Sequence, residues 1–561
     1  MIPQKESSSL SIKRVELWPQ GVPAANTLLV IARNLFLGGE VEVDPGLVLH
    51  SLQILKRDLE ARAAPFRLSI EVVRPGSFQA LKKHLGESSR QQKEGDIQIV
   101  HFDMHGGVVE RTGPGFSYME AVLEFCSERT GRRAQVRAAT VAELLEKYNI
   151  RIAVLNACES ATANKGDEAN IAKTFTRAGV QNILAMAYQT CASSCESFMR
   201  RFYQSLIAEG KPFSLAVRDA REDLRVSTNR EARFALIRSL EDWIVPVVYA
   251  TGKDVELHTS AMPESVLEGD SMPMVPAESS APQPPATPLI GRGIDVLRFE
   301  TMFLGSRITG LCGPAGVGKS AFVDHLARSW KDTGLYDDVL QLDCALIQQD
   351  EIDAAVFLRH LLCHGKDKSP IPDLTGPKQE EYRSWISAHR GNIRVVVLDN
   401  LEASYSDVEE MNDHGRWPES TRSALMAVIN DIIKHRSEEA DESISFILVG
   451  RSEDDSWWRK SFPDLPPFLC YHLHGLSLPD AINYGHILLG KYGLDMSKWG
   501  HADEDVLSQI LNLLQCNPLA IQTVLETAVD QGYHWRELFE EVLFRQDICA
   551  LNLLHHFSLP L

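Results

Sequence analysis

The run Gly313-Pro314-Ala315-Gly316-Val317-Gly318-Lys319-Ser320 constrains this chain more than any other eight residues in it. An apolar stretch, Ile308 to Leu311, precedes it and a helical pattern follows, so the run is expected to be the loop of a strand–loop–helix unit. Glycines in such a loop let successive backbone N–H groups turn inward on phosphates, the lysine reaches the β- and γ-phosphates, and the helix amino terminus adds its dipole. Gly313, Pro314, Ala315, Gly316, Val317, Gly318, Lys319 and Ser320 are therefore the expected nucleotide-binding residues, with ATP or ADP as cofactor and the Ser320 hydroxyl on Mg²⁺.

A chain of 561 residues, 44% of them apolar, is long enough for three or four compact domains. Between Thr259 and Pro288 it turns to Ser, Ala, Glu, Met and seven prolines, the composition of a linker. Before the linker, β-branched runs alternate with amphipathic helical stretches: Leu28 to Ala32, Leu68 to Val73, Ile97 to Phe102, Ile152 to Leu155, Ile183 to Ala187 and Val245 to Tyr249. After it the alternation resumes at Arg307 to Leu311, Val339 to Leu342, Val395 to Leu398 and Phe446 to Val449, and from about 478 the pattern is helical only. This predicts an α/β fold: a mostly parallel sheet domain, then a second α/β domain carrying the phosphate loop and ending in a small all-α domain. The expected boundaries are an amino-terminal extension over 1–24, domains over 25–252 and 289–476, a linker over 253–288 and a helical domain over 477–561.

The net charge of −19 argues against broad attraction to nucleic acid or anionic membranes, so no nucleic-acid partner is expected. The ten cysteines are scattered without metal-ligand spacings, which fits a reducing compartment. Cys191 and Cys195, the one close pair, have helical spacing and read as packing residues. The first twenty residues contain no apolar signal core and no stretch approaches the roughly eighteen apolar residues of a membrane span, so a cytoplasmic protein is the expectation.

About 150 residues upstream of the loop stand His105-Gly106 and Ala157-Cys158-Glu159-Ser160. Ile97 to Phe102 reads as a buried strand and Asp103-Met104-His105-Gly106-Gly107 as the turn at its carboxyl end, the edge at which open α/β sheets bind ligands. Cys158 follows the strand Ile152 to Leu155 in the same way, so thiol and imidazole, 53 positions apart, are expected to meet in one crevice. A cysteine peptidase needs a thiol, an imidazole to handle protons and backbone N–H donors for the oxyanion. Cys158, His105 and the N–H groups of Gly106 and Cys158 would supply them. His101, inside the strand, reads as a packed or hydrogen-bonded residue that orients the site. Asp103 and Glu159 would bind a basic substrate side chain or serve as an exposed turn or helix-cap acid.

The stretches IVHFDMHGG and AVLNACESA resemble the caspase-fold peptidases, most of all the CHAT subgroup related to separases. Ala178-Gly179-Val180, Phe202-Tyr203, Ser214, Ala216-Val217, Ala220-Arg221 and Asp242-Trp243 before Pro246 to Tyr249 follow in that family's order. The resemblance implies an endopeptidase with Cys158 as nucleophile, His105 as proton carrier and a protein as substrate. The His-to-Cys spacing echoes the roughly fifty residues of caspases, but the flanking residues differ, so specificity for aspartate is not carried over.

Val395 to Asp399 is an apolar strand ending in a carboxylate, the type that organises Mg²⁺ in P-loop enzymes. Glu402 would polarise an attacking water or be a solvated acid at a helix start, and Arg451, after the strand Phe446 to Val449, would touch the γ-phosphate or form a surface ion pair. Together with Leu289-Ile290-Gly291-Arg292, His474-Gly475-Leu476-Ser477 and Cys516-Asn517-Pro518-Leu519-Ala520, this order resembles the signal-transducing NTPases, the group of the NB-ARC apoptosis and plant immune receptors. The resemblance implies that Pro518 packs near the nucleotide, that Gly291 and Arg292 border the adenine, and that the chain self-associates with nucleotide state. Asn400 stands where a second acid is frequent and Cys516 where glycine is usual, which implies slow hydrolysis or exchange. Such proteins normally continue into a winged helix and sensor repeats. With no such array in its last residues, LNLLHHFSLPL, either the product is short or the trigger arrives by another route. The combined expectation is a nucleotide-regulated cysteine endopeptidase of a signalling, cell-death or defence response. A catalytically dead scaffold switched by the NTPase, and an NTPase whose main output is hydrolysis, are the alternatives.

Overall fold

A computed structural model describes residues 24–33, 45–62, 67–91, 97–113, 116–128, 131–156, 167–186, 192–231, 237–252, 254–257, 289–336, 338–344, 393–401, 425–427, 429–430, 433, 444–451, 469–493 and 501–531. They divide into two compact units, one ending at Leu297 and the other beginning at Arg298.

The first unit is built on β1 (Ala24–Ile31), α1 (Leu47–Ala61), β2 (Arg67–Val72), α2 (Phe78–Gln91) and β3 (Ile99–Asp103). There follow β4 (Gly106–Gly113), β5 (Phe116–Cys126), β6 (Arg133–Arg137), α3 (Ala138–Lys147), β7 (Ile152–Asn156), α4 (Asp167–Ala178) and β8 (Asn182–Met186). Helices α5 (Ala192–Tyr203) and α6 (Phe213–Val226), the short pair β9 (Asn229–Glu231) and β10 (Ile237–Ser239), and β11 (Pro246–Ala250) complete it. The main sheet has the order β11-β8-β7-β3-β1-β2, with only β11 antiparallel to its neighbour.

Every described residue of β3, β7 and β8 is buried, as expected of strands covered on both faces. Alternate residues supply two separate cores. Leu29, Ile99, Val154 and Leu184 pack with α1, α5 and α6, while Leu28, Val100, Ala153 and Ile183 pack with α2, α3 and α4. The chain leaves β1 toward β2 and then returns to place β3 on the other side of β1, so the direction of winding reverses between β1 and β3. Ligand crevices of open α/β sheets lie at such a reversal.

The alternation of apolar runs did not announce β4, β5 and β6, an antiparallel meander in a sheet of its own. Its strands carry charge in pairs, Arg111 and Arg137 both on Glu120, so they lack the continuous apolar stretch of the buried strands.

The second unit begins within α7 (Gly293–Leu304), whose Phe299 and Phe303 pack on Phe322 and Trp330. It continues with β12 (Ile308–Cys312), α8 (Lys319–Asp332), β13 (Asp338–Asp343), β14 (Ile393–Asp399), β15 (Ser445–Gly450) and β16 (Leu469–His472). Its described strands form an all-parallel sheet of order β13-β14-β15-β12-β16. Strand β16 was missed in the sequence because LCYH contains no β-branched residue and ends in histidine, unlike the apolar runs that marked the other strands of this sheet. Helices α9 (Leu478–Lys491), α10 (His501–Leu513) and α11 (Pro518–Gln531) close on an apolar core of their own that includes Ile482, Leu507, Ile510, Ile521 and Leu525. The fold is thus mixed α/β with largely parallel sheets. No helix among the described residues is long and apolar enough to cross a membrane.

Candidate functional site

Strands β3 and β7 are neighbours in parallel register, with Asp103 opposite Asn156. His105 lies two residues beyond the first of these and Cys158 two beyond the second. Cys158, Glu159 and Ala157 lie outside the described residues. His105 is 7% exposed, and its carbonyl accepts a hydrogen bond of 2.8 Å from the Glu124 amide, which ties the end of β3 to β5. Gly106 is the first residue of β4, so the expected turn is shorter than the sequence suggested and the meander starts directly after His105. A methyl group on Gly106 would come within 2.7 Å of Ile171 on α4 and 3.3 Å of Leu123. A larger residue at 106 would have to displace the Ile171 methyl, since β4 packs here against the helix that follows β7.

Asp103 is not available to a basic substrate side chain, and in this the sequence expectation is corrected. It is 2% exposed and bound to Arg33, with Arg33 Nη2 2.6 Å from Asp103 Oδ1 and Arg33 Nη1 2.6 Å from the Asp103 carbonyl. An acid at the end of a buried strand has to be compensated, and removing one partner of a buried ion pair costs about 3–5 kcal/mol. The Asn156 amide donates to Asp103 Oδ1 over 3.4 Å, and the Cys195 thiol donates to Asn156 Oδ1 over 3.1 Å. Sequence reasoning missed Arg33 as a site residue. Its one signal was a lone cation ending an apolar strand run.

His101 is fully buried, and its Nδ1 shares a hydrogen bond of 2.7 Å with the Tyr203 hydroxyl. Burial first, and the nearby Arg33 charge second, push its pKa down to about 3. The same burial raises the Tyr203 hydroxyl, so both groups stay neutral and the pair is a packing contact beneath the sheet end. A pH dependence follows. Above the ordinary histidine value His101 is neutral in folded and unfolded chains alike. Below it the unfolded chain takes a proton that the folded chain refuses, so stability is lost as pH falls toward 3, at up to about 1.4 kcal/mol per pH unit. Denaturant titrations at pH 6.5, 5.5 and 4.5 are expected to show a shallower decline in His101→Gln than in the unaltered chain. Parallel declines would contradict this assignment.

A small cavity at the carboxyl end of β8 is lined by Met186, Ser194, Cys195, Phe198, Asp242 and Pro246 among others. Its one acid is neutralised, since Asp242 receives Arg230 Nε at 3.0 Å and Nη2 at 2.9 Å and also the Ser194 hydroxyl.

In the second unit the phosphate-loop motif leaves β12, the strand at which that sheet reverses its winding. Gly316 and Gly318 have φ of +74° and +97°, a region closed to most side chains. A methyl group on Gly313 would lie 2.5 Å from the Leu473 carbonyl. The Lys319 ammonium donates to the carbonyls of Gly313 at 2.9 Å and Pro314 at 3.1 Å, so it lies back across its own loop. Ser320 is the second residue of α8. Asp399 ends β14 and pairs with Asp343 of β13; Asn400, at φ +54°, donates its side-chain amide to Asp343 Oδ1 over 2.9 Å. Arg451 directly follows Gly450, the partner of Cys312, and is exposed beside the start of the loop. Glu402 lies outside the described residues.

The helical segment closes on this loop. Asn517 Nδ2 donates to the Ala315 carbonyl over 2.9 Å and the Leu519 amide to the Gly316 carbonyl over 3.2 Å, with Pro518 between them opening α11. Gly475 has to be glycine because a methyl group there would meet the Gln515 carbonyl at 2.1 Å. Cys516 has φ +51°, the left-handed region that explains why glycine suits this position. Gly291, at φ +68°, leads into α7, and the buried Arg292 binds Asp295 at 3.0 Å.

The residues of the loop fit a nucleotide: glycines in the left-handed region at 316 and 318, a lysine able to leave its carbonyls for phosphate, and a carboxylate at the same sheet edge. Among the described residues no group of three or more His, Cys, Asp and Glu is placed to hold a metal. A Mg²⁺ ion would therefore depend on phosphate oxygens as well as on Ser320 and Asp399, as is usual for this ion.

The family model of the CHAT domain matches residues 6–264. No curated protein matches the chain. Among solved structures, similarity is found to Drosophila ORC bound to DNA, at 13% identity and TM-score 0.28, over 48% of this chain and 70% of that one. The FIGL-1 AAA domain in complex with ADP is similar at 13% identity and TM-score 0.24, over 42% and 70%. C. elegans PCH-2 is similar at 13% identity and TM-score 0.26, over 43% and 62%. Scores this low decide nothing about the chain.

Proposed function

We propose that this chain is a nucleotide-regulated cysteine endopeptidase in which Cys158 is the nucleophile and His105 its proton carrier. The observation that carries the reading is the parallel register of β3 and β7, which brings the strand ends before His105 and Cys158 opposite one another. The match of the CHAT domain family to 6–264 supports it. The amides of Gly106 and Cys158 serve the oxyanion. ATP or ADP with Mg²⁺ binds Gly313 to Ser320, Asp399 and Arg451, with Pro518 beside the loop, Glu402 near the attacking water, and Gly291 and Arg292 toward the adenine. The domain division expected from the sequence is part of the proposal, except that Val255, buried in the first unit's core, and Asp254, bound by the Ser214 amide, attach 254–257 to that unit and not to the linker over 253–288.

Nucleotide state sets peptidase activity by binding the two states of the module unequally. A protein substrate, nucleotide-dependent self-association, a cytoplasmic location and a role in a signalling or cell-death response complete the proposal. Mass-spectrometric mapping of peptides cut by the intact protein with ATP, ADP or neither tests it. Cleavage whose rate depends on the nucleotide is the expected result, and cleavage unaffected by either nucleotide would refute the regulatory part.

A further inference from the structure

We infer that Arg33, Asp103 and Asn156 form the positioning unit of the proposed dyad, an inference that rests on the peptidase reading. They join the carboxyl ends of three adjacent strands, β1, β3 and β7, at the level from which the chain runs on to His105 and Cys158.

The bonding is directional. The Asp103 carbonyl receives two donors, the Ala32 amide at 3.0 Å and Arg33 Nη1 at 2.6 Å. That carbonyl lies in the rigid peptide plane between Asp103 and Met104, so fixing it fixes the direction in which the chain departs toward His105. Arg33 Nη1 also donates to the Ala32 carbonyl at 3.1 Å, which prevents the guanidinium from turning. The Asp103 carboxylate, held by Nη2 at 2.6 Å, accepts the Asn156 amide at 3.4 Å, and Cys195 on α5 holds Asn156 from the other side. The residue two positions before Cys158 is thereby fixed relative to the residue two positions before His105.

Stability alone does not account for such a set. Arg33 is 6% and Asp103 2% exposed, and a buried ion pair is on balance no better than apolar residues of the same volume. A planar fork that grips a carboxylate and a carbonyl together supplies geometry that apolar packing does not. Small displacements of reacting groups cost large factors in rate.

The test replaces the unit by apolar residues, Arg33→Met with Asp103→Leu, and in a second variant keeps the charge but not the fork, Arg33→Lys. Peptide cleavage by the intact protein and the pH profile of iodoacetamide labelling at Cys158, read on its own tryptic peptide, are measured for each. We expect the folded double variant to lose roughly 10- to 100-fold in kcat with KM within about twofold, and the labelling profile to move with it. Arg33→Lys is expected to show a smaller loss of the same kind, and it decides the matter if the double variant does not fold. Unchanged kcat and labelling profile in a folded variant, while the unaltered protein cleaves, overturn the inference alone. No cleavage by the unaltered protein, with Cys158 labelled like a free thiol whether or not His105 is replaced, overturns the peptidase reading and the inference with it.

Discussion

Cys158→Ala is expected to abolish peptide cleavage, with a fall in kcat of about four orders of magnitude or more. Removing a nucleophile leaves only binding and oxyanion stabilisation, and in such units the loss of one member costs nearly as much as the loss of all. His105→Ala is expected to fall almost as far, and the double variant no further than Cys158→Ala, because the two groups act as one. Nucleotide binding, measured by calorimetry, should be unchanged in all three. The assay compares kcat of the variants on a peptide taken from the mapped cleavage sites. Equal activity in Cys158→Ala would mean that the thiol is not the nucleophile. Absence of activity in the unaltered chain, with nucleotide still bound, would favour the scaffold reading, in which the first unit recruits a partner instead of cutting it.

Lys319→Ala is expected to weaken ATP binding by roughly 30- to 1,000-fold, the equivalent of about 2 to 4 kcal/mol for charge-assisted bonds to two phosphates. The ammonium already lies within the loop, held by the carbonyls of Gly313 and Pro314, so it has only to exchange these acceptors for phosphate oxygens. The variant also loses those two bonds when no nucleotide is present, and its melting temperature should fall slightly. The decisive readout is therefore the nucleotide-induced rise in melting temperature, expected in the unaltered chain and absent in Lys319→Ala at the same ATP concentration. Peptide cleavage in the variant should no longer distinguish ATP from ADP. A full rise in melting temperature in the variant would place the nucleotide elsewhere.

Much of this was legible in the residues. Buried parallel strands are near-continuous apolar runs, as in Ile97 to Phe102, broken by Gln98 and His101, and in Ile152 to Leu155 and Val395 to Leu398. The phosphate loop was legible for a different reason: its backbone needs left-handed residues at two positions, and glycine is the residue that provides them. The meander of β4, β5 and β6 was not legible, because its charged residues break up the apolar runs even where Val122, Leu123 and Phe125 of β5 are buried. Asp103 was misread for a related reason. A carboxylate after a strand is usually at the surface, and only the arrival of Arg33 from a strand 70 positions earlier allows it to be buried. Asn517, quoted beside Pro518, was given no role, since a side-chain amide carries no signal until its acceptor, the Ala315 carbonyl, is known.

The sequence alone therefore determined the alternation of strands and helices, the phosphate loop and the two residues proposed to carry the chemistry, since each depends on a pattern confined to a few neighbouring positions. Tertiary structure decided which strands stand side by side, that Asp103 meets Arg33 and Asn156, and that Asn517 reaches the phosphate loop. These pairings join residues far apart along the chain, and they are settled by the packing of both faces of each sheet at once, a constraint that no local stretch contains.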